Sequence, residues 1–170
     1  MLTPPESPDM DFQGAHVVVT GGAGFIGSHL SERLLSDGAT VTVVDDLSNG
    51  REAWIPADAT FVEGDVRDEA VLERAIDSSV DAVFHLAARK AVNDPRPTEQ
   101  FEANTGMTLA VLERMAEVGV DHVGFTSSST VYGEAPRPTP EDYPPAPISM
   151  YGAAKVAEEA LLSRYVHAHD

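Results

Sequence analysis

Tyr151 and Lys155 stand four residues apart, and a run of hydroxyl side chains, Thr126-Ser127-Ser128-Ser129-Thr130, precedes them. On a helix, positions four apart share a face, so the lysine ammonium can approach the phenol. A positive neighbour favours the phenolate and lowers its pKa from about 10 toward the working pH. Such a group can remove a hydroxyl proton during hydride transfer. A serine hydroxyl at the end of the strand before the helix can hold the same substrate oxygen. Tyr-x-x-x-Lys also arises as an ordinary helix surface pair with a half-buried tyrosine, so its meaning depends on what the rest of the chain supplies.

What the chain supplies first is a glycine turn. Gly21, Gly24 and Gly27 follow the apolar run His16-Val17-Val18-Val19 and lead into an amphipathic stretch beginning at Phe25 and Ile26. Strand, glycine turn and helix in this order fit a dinucleotide site: Gly21 permits the sharp exit from the strand, Gly24 lets backbone approach a pyrophosphate, and Gly27 lets helix and sheet pack closely. The helix N-terminus then offers free N–H groups to the anion. A second β-branched run, Thr40-Val41-Thr42-Val43-Val44, ends in Asp45, about twenty residues past the glycines, where a carboxylate accepts bonds from the adenosine ribose hydroxyls. Asp45 and Asp46 together repel a 2′-phosphate, which predicts NAD over NADP.

Two more strand ends carry candidates. Gly64-Asp65-Val66-Arg67 follows a third strand, and Asp65 either reaches the adenine ring or caps the next helix. Phe84-His85-Leu86-Ala87-Ala88 ends a fourth strand in small residues that let backbone approach the cofactor. His85 is expected to pack at the strand end rather than transfer protons.

The elements that must position these groups alternate in type. Strands are expected near 16–20, 40–45, 60–62, 81–86 and 122–126. Helices are expected near 25–36, 69–77, 98–118 and 151–166, with a proline-rich loop before the last. That alternation predicts an α/β fold, a doubly wound parallel sheet of Rossmann type. Residues 1–13 are rich in proline and charge and are expected to form a disordered leader, with Met10 a candidate start. The cofactor-binding domain is expected to run over 14–170. No apolar run is long enough to span a bilayer, and no secretory signal is visible, so a cytoplasmic protein is expected. With no cysteine and scattered histidines, no metal site is expected. The 28 acidic and 11 basic residues of this 170-residue chain leave a net charge of -17, which argues against nucleic-acid binding and points to a salt-dependent, halophilic type of surface.

On these motifs the chain resembles the NAD-dependent epimerase/dehydratase family, the extended branch of the short-chain dehydrogenases, and within it most closely the UDP-glucose 4-epimerases. The resemblance runs from about Ala15 to the end. It implies cofactor contacts at Gly21, Gly24, Gly27, Asp45 and Asp65 and also at Tyr151 and Lys155, the same two residues being catalytic, with a substrate-holding Ser128 and Ser127 close to the cofactor. Lys90 and Asn104 match positions that lie beside the cofactor in the epimerases, while Met107 stands near where the family usually has a glycine. The implied chemistry is transient oxidation of a nucleotide-sugar hydroxyl by NAD, followed by reduction. Ser129 and Thr130 replace the acidic pair of sugar dehydratases, which favours epimerisation. Family members run to roughly twice this length, so the chain is expected to be the N-terminal half of such an enzyme, without the last strands and the substrate domain. The alternatives are a non-catalytic NAD-binding protein that needs a partner chain, or a dehydratase. The family often dimerises through two long helices, which would be those near 98–118 and 151–166.

Overall fold

The computed structural model describes residues 11–90 and 96–169, with side chains to residue 167. The expected leader therefore lies largely outside the described residues. Five strands, β1 (His16–Thr20), β2 (Thr40–Asp45), β3 (Thr60–Glu63), β4 (Ala82–His85) and β5 (His122–Phe125), form one sheet in the order β3-β2-β1-β4-β5. Every pairing is parallel, with Val17 opposite Val41 on one side and Ala82 on the other. The chain builds β1, β2 and β3 outward in one direction, then returns to add β4 and β5 on the other side of β1. That reversal leaves a crevice beyond the carboxyl ends of β1 and β4, where ligands bind in open α/β sheets.

The continuous valine run of β1 reads as a strand covered on both faces. Val17, Val18 and Val19 are all fully buried, and they alternate between two cores. Val18 joins Val83, Leu72, Ile76, Val111 and Met115 on one side. Val17 and Val19 join Leu34, Val41 and Val43 on the other. Each such side chain contributes about 1.5–3 kcal/mol of burial relative to exposure.

Among the described residues four α-helices flank the sheet: α1 (Phe25–Ser36), α2 (Glu69–Ala75), α3 (Pro97–Val118) and α4 (Met150–His169). Their ends follow local chemistry. The Asp68 side chain caps α2 by accepting the Ala70 N–H at 3.0 Å, proline sits in the first turn of α3, and Gly119 ends α3 with a left-handed φ of 78°. Helix α4 packs along α3, with the Ser149 hydroxyl accepting the Gly152 N–H at its start. Among the described residues no helix is long and apolar enough to cross a membrane.

Candidate functional site

The crevice at the sheet's carboxyl edge is a cleft of about 600 Å³ whose wall runs from the glycine turn past Asp45 and Asp46 to Asp65, Val66 and Leu86–Ala88. The glycine turn is held from below: the Gly21 N–H donates to Val44 O at 2.7 Å and the Gly24 N–H to Gly21 O at 3.1 Å. Gly21 has φ 70°, and a side chain there would strike the Ala87 backbone nitrogen at 2.7 Å. At Gly27 an added Cβ would overlap Gly21 O. Gly24 differs, because its missing side chain would meet only Gly21 O, at 3.2 Å, and otherwise point into open space. Gly21 and Gly27 are thus fixed by packing, whereas Gly24 keeps the cleft open. Phe25 lines the cleft and is 71% exposed; Ile26 is also exposed but lies outside the lining.

Asp45 ends β2 with its carboxylate bridging two loops. Its Oδ2 accepts the Ala23 N–H at 3.0 Å and its Oδ1 the Leu47 N–H at 2.9 Å. Burial raises its pKa above the ordinary carboxylate value, the two backbone bonds oppose that, and Asp46 adds to it. Asp65 behaves in the opposite way. Arg67 closes on it with its backbone N–H at 2.8 Å and with guanidinium contacts through Nε and Nη2, which holds the Asp65 pKa below the usual range. Asp68, not Asp65, caps α2, so the capping alternative for Asp65 is overturned.

Asn104, expected beside the cofactor, is 1% exposed and turned into the protein. Its Oδ1 accepts the Arg89 N–H at 2.8 Å, and its Nδ2 donates to Arg89 O and Gln100 O. It shapes the cleft by pinning the backbone after β4, while Met107 and Ala103 of the same helix form part of the wall. Lys90 is exposed and outside the lining.

Tyr151 and Lys155 occupy the first turns of α4, next to the ends of β4 and β5 and outside the lining of the main cleft. The Lys155 Nζ lies 4.5 Å from the Phe125 ring centroid and 5.8 Å from that of Tyr151. The phenol is not driven toward phenolate. Burial raises its pKa and the charge of Glu158 raises it further. The physical reason is that the ammonium is shared: Nζ donates to Glu158 Oε2 at 3.1 Å, with both side chains almost wholly buried. In the hydroxyl run, Ser128 accepts from the Thr130 N–H and hydroxyl at 3.2 and 2.9 Å, and the Ser127 hydroxyl donates to Glu159.

His85 is buried, as expected for a strand-end packing histidine, but it is also the middle of a polar chain. Its Nδ1 pairs with Thr20 Oγ1 at 2.7 Å, its Nε2 with Thr108 Oγ1 at 3.1 Å, and Thr108 donates on to Glu158 Oε2 at 2.8 Å. Burial, with the Lys155 charge behind it, lowers the His85 pKa to about 3, so the ring is neutral. Thr20 also accepts the Ala87 N–H at 3.2 Å, which ties this chain to the cleft wall. Glu158 and Thr108 escaped the sequence reading. The signal for Glu158 was available, since Tyr151, Lys155 and Glu158 recur at spacings of four and three on one helix face.

The family model for the NAD dependent epimerase/dehydratase family matches residues 17–170. The chain belongs to this family. A relative within reach of direct comparison is the UDP-glucose 4-epimerase of Azospirillum brasilense, 40% identical over 166 residues, which span 95% of this chain and 47% of the relative. The structure of the Thermus thermophilus UDP-glucose 4-epimerase in complex with NAD superposes with a TM-score of 0.84 at 39% identity, covering 90% of this chain and 51% of that one. The Thermotoga maritima UDP-glucose 4-epimerase structure with UDP-glucose gives 0.82 at 37% identity over 89% and 51% of the two chains. The chain thus spans about half the length of each, and its Rossmann-type sheet is that of the epimerase/dehydratase family.

Proposed function

We propose that this chain binds NAD in the cleft beyond β1, β2 and β4 and carries the cofactor-binding and proton-transfer groups of a nucleotide-sugar 4-epimerase. The observation that carries this reading is the open face of Gly24 together with the Asp45 carboxylate held across the same cleft. A pyrophosphate fits beside a residue without a side chain at a helix N-terminus. A carboxylate fixed by two N–H groups retains lone pairs for ribose hydroxyls. Asp45 and Asp46 also make the adenosine end hostile to a 2′-phosphate, which selects NAD over NADP. Asp65 and Val66 flank the adenine end, and Leu86, Ala87 and Ala88 form the opposite wall.

When bound, the nicotinamide supplies a reversible hydride acceptor. The chain's own part is proton handling: Tyr151 Oη takes the proton of a sugar hydroxyl and later returns it, Ser128 Oγ holds that oxygen, and the Lys155 ammonium stabilises the phenolate. Ser127 closes the cofactor side of the same strand end. A UDP-sugar is the substrate class, by likeness to relatives whose structures are described with UDP-glucose and UDP-N-acetylmuramic acid. Ser129 and Thr130 supply no acid at the hydroxyl run, which favours epimerisation over dehydration.

A second reading, NAD binding without turnover by this chain, is favoured by one observation. The Lys155 side chain is only 3% exposed and engaged with Glu158, so the proton-transfer pair is not poised in this arrangement. Calorimetric titration with NAD, followed by incubation with NAD and UDP-glucose, tests both. UDP-galactose formation supports the epimerase reading, NAD binding without product supports the second, and no NAD binding defeats both. The reading carries with it a cytoplasmic setting, where NAD and nucleotide sugars are at hand. It also carries a homodimer through α3 and α4, which light scattering checks.

A further inference from the structure

Glu158 is the most deeply buried carboxylate among the described residues, at 0% exposure, and the proton chemistry above makes no use of it. It lies one helical turn beyond Lys155, on the α4 face that meets Thr108 of α3. Its two oxygens are treated unequally. Oε2 receives both the Lys155 ammonium and the Thr108 hydroxyl, whereas Oε1 has no partner among the described residues. A half-satisfied buried carboxylate is a poor device for stability, because a well-packed apolar pair would serve the α3–α4 interface at least as well. Its charged partner is the lysine that the proton chemistry needs. The ammonium has three donors, yet its side chain is withdrawn into the interface and away from the cleft wall.

The geometry points to Glu158 as a positioning residue that holds the Lys155 ammonium inside the α3–α4 interface, in competition with the hydroxyl groups of the bound dinucleotide. The inference rests on the NAD-binding reading above. For Lys155, which the family resemblance also counts among the cofactor contacts, to meet a ribose hydroxyl its buried ammonium has to move out of the α3–α4 interface, and Glu158 opposes that move, so cofactor affinity is reduced by the fraction of molecules in which the ammonium is retained. Thr108 and His85 keep the carboxylate from following it, because they fix Oε2 through a hydrogen-bonded chain ending at Thr20 and the Ala87 N–H. Glu158 itself touches no reacting atom and acts through Lys155.

Glu158→Gln keeps the shape and an acceptor oxygen but removes the charge that retains the ammonium. NAD dissociation constants of the full chain are measured for wild type, Glu158→Gln, Lys155→Met and the double variant. Glu158→Gln is expected to tighten NAD by about tenfold, the size of one charge-assisted hydrogen bond. In the Lys155→Met background it should change nothing, because no ammonium remains to be released. An equal effect in both backgrounds, or weaker binding in Glu158→Gln, overturns the proposal. A second measurement needs no cofactor. The chain contains only two lysines, Lys90 and Lys155, so nitrogen-15 labelling of lysine gives two ammonium signals, and Lys155→Met identifies the buried one. That signal should exchange slowly with water in wild type, move and exchange faster in Glu158→Gln, and move in wild type when NAD is added. If wild type fails to bind NAD, the function proposed above and the competition with the cofactor both fall, and the cofactor-free spectra then decide whether Glu158 holds the ammonium. An unchanged Lys155 signal in Glu158→Gln overturns it.

Discussion

The Asp45 carboxylate reaches from the end of β2 to the Ala23 N–H at 3.0 Å, so that the second strand and the glycine turn are locked into one rim of the cleft. The same oxygens that hold the rim face the space assigned to the adenosine ribose. Asp45→Asn removes the charged acceptor, and a hydrogen bond to a charged group is worth about 1.5–3 kcal/mol. NAD affinity should therefore fall roughly tenfold to a hundredfold, while NADP, repelled by the native carboxylate, should lose less or gain. Parallel calorimetric titrations check this, and a uniform loss for both cofactors would remove Asp45 from the selectivity argument. The pH dependence has a definite sign. On the NAD-binding reading the ionised form accepts the ribose hydroxyls, and burial raises the Asp45 pKa above 3.8, so NAD affinity should weaken on acidification at a higher pH than an ordinary carboxylate would produce.

Gly24 and Gly27 make a matched pair. Gly24→Ala places its methyl toward open space, with one contact at 3.2 Å, so the fold should tolerate it within about 1 kcal/mol while NAD binding is lost. Gly27→Ala drives a methyl into Gly21 O, and overpacking of this kind costs about 1–3 kcal/mol or more. Denaturant midpoints beside NAD titrations separate the two. Equal stability loss at both positions would mean that the turn is only a packing device.

The order of elements and their type were legible because the valine strands, the glycine turn and the helix caps are local signals. The tight turn at Gly21 and Gly27 and the place of Asp45 at the end of β2 were legible for the same reason, since each is defined by its distance from a strand end. The contacts of Asn104 and Asp65 were not, because side-chain orientation settles them and no spacing marks the partner. Asn104 turns back to the Arg89 backbone fifteen residues away, and Asp65 is claimed by Arg67. The phenol at Tyr151 shows the limit most clearly. Its spacing from Lys155 is visible in the sequence, but burial first, and then the charge of Glu158, which also engages the ammonium, hold the proton on the phenol.

His85 gives the fold an acid sensitivity. Buried and neutral, it has a folded-state pKa of about 3 against 6.5 when exposed. The unfolded chain therefore binds a proton that the folded chain refuses between these values, and stability is lost as pH falls through that window. The loss from this one group should approach about 1.4 kcal/mol per pH unit well below 6.5. Urea unfolding at pH 7, 5.5 and 4.5 measures the slope, and His85→Gln should be less stable at pH 7 yet show a shallower slope. An unchanged slope would assign the acid sensitivity to carboxylates instead.

Tyr151 should titrate above the ordinary phenol value of 10.0, because burial and then the Glu158 charge both disfavour phenolate. Glu158→Gln removes the second cause and should lower the midpoint, whereas Lys155→Met should raise it. Carbon-13 labelling of the tyrosine ring carbon beside the hydroxyl resolves the four tyrosines of the chain, with Tyr151→Phe identifying the signal. A midpoint at or below 10 in wild type would mean that Lys155, not Glu158, controls the phenol in solution.

The charge of -17 on 170 residues acts against the compact state through self-repulsion, and added salt should relieve it. Screening saturates early, since the Debye length falls from about 30 Å at 0.01 M to about 10 Å at 0.1 M and only to about 3 Å at 1 M. A stabilisation of about 1–2 kcal/mol corresponds to a rise of several degrees in Tm for a chain of this size. Melting in potassium chloride from 0.01 to 2 M should therefore show most of the rise below about 0.3 M if repulsion is the cause. A rise that continues in proportion to salt through the molar range would instead reflect strengthened apolar burial, and a flat Tm would remove the salt-dependent reading of this surface altogether.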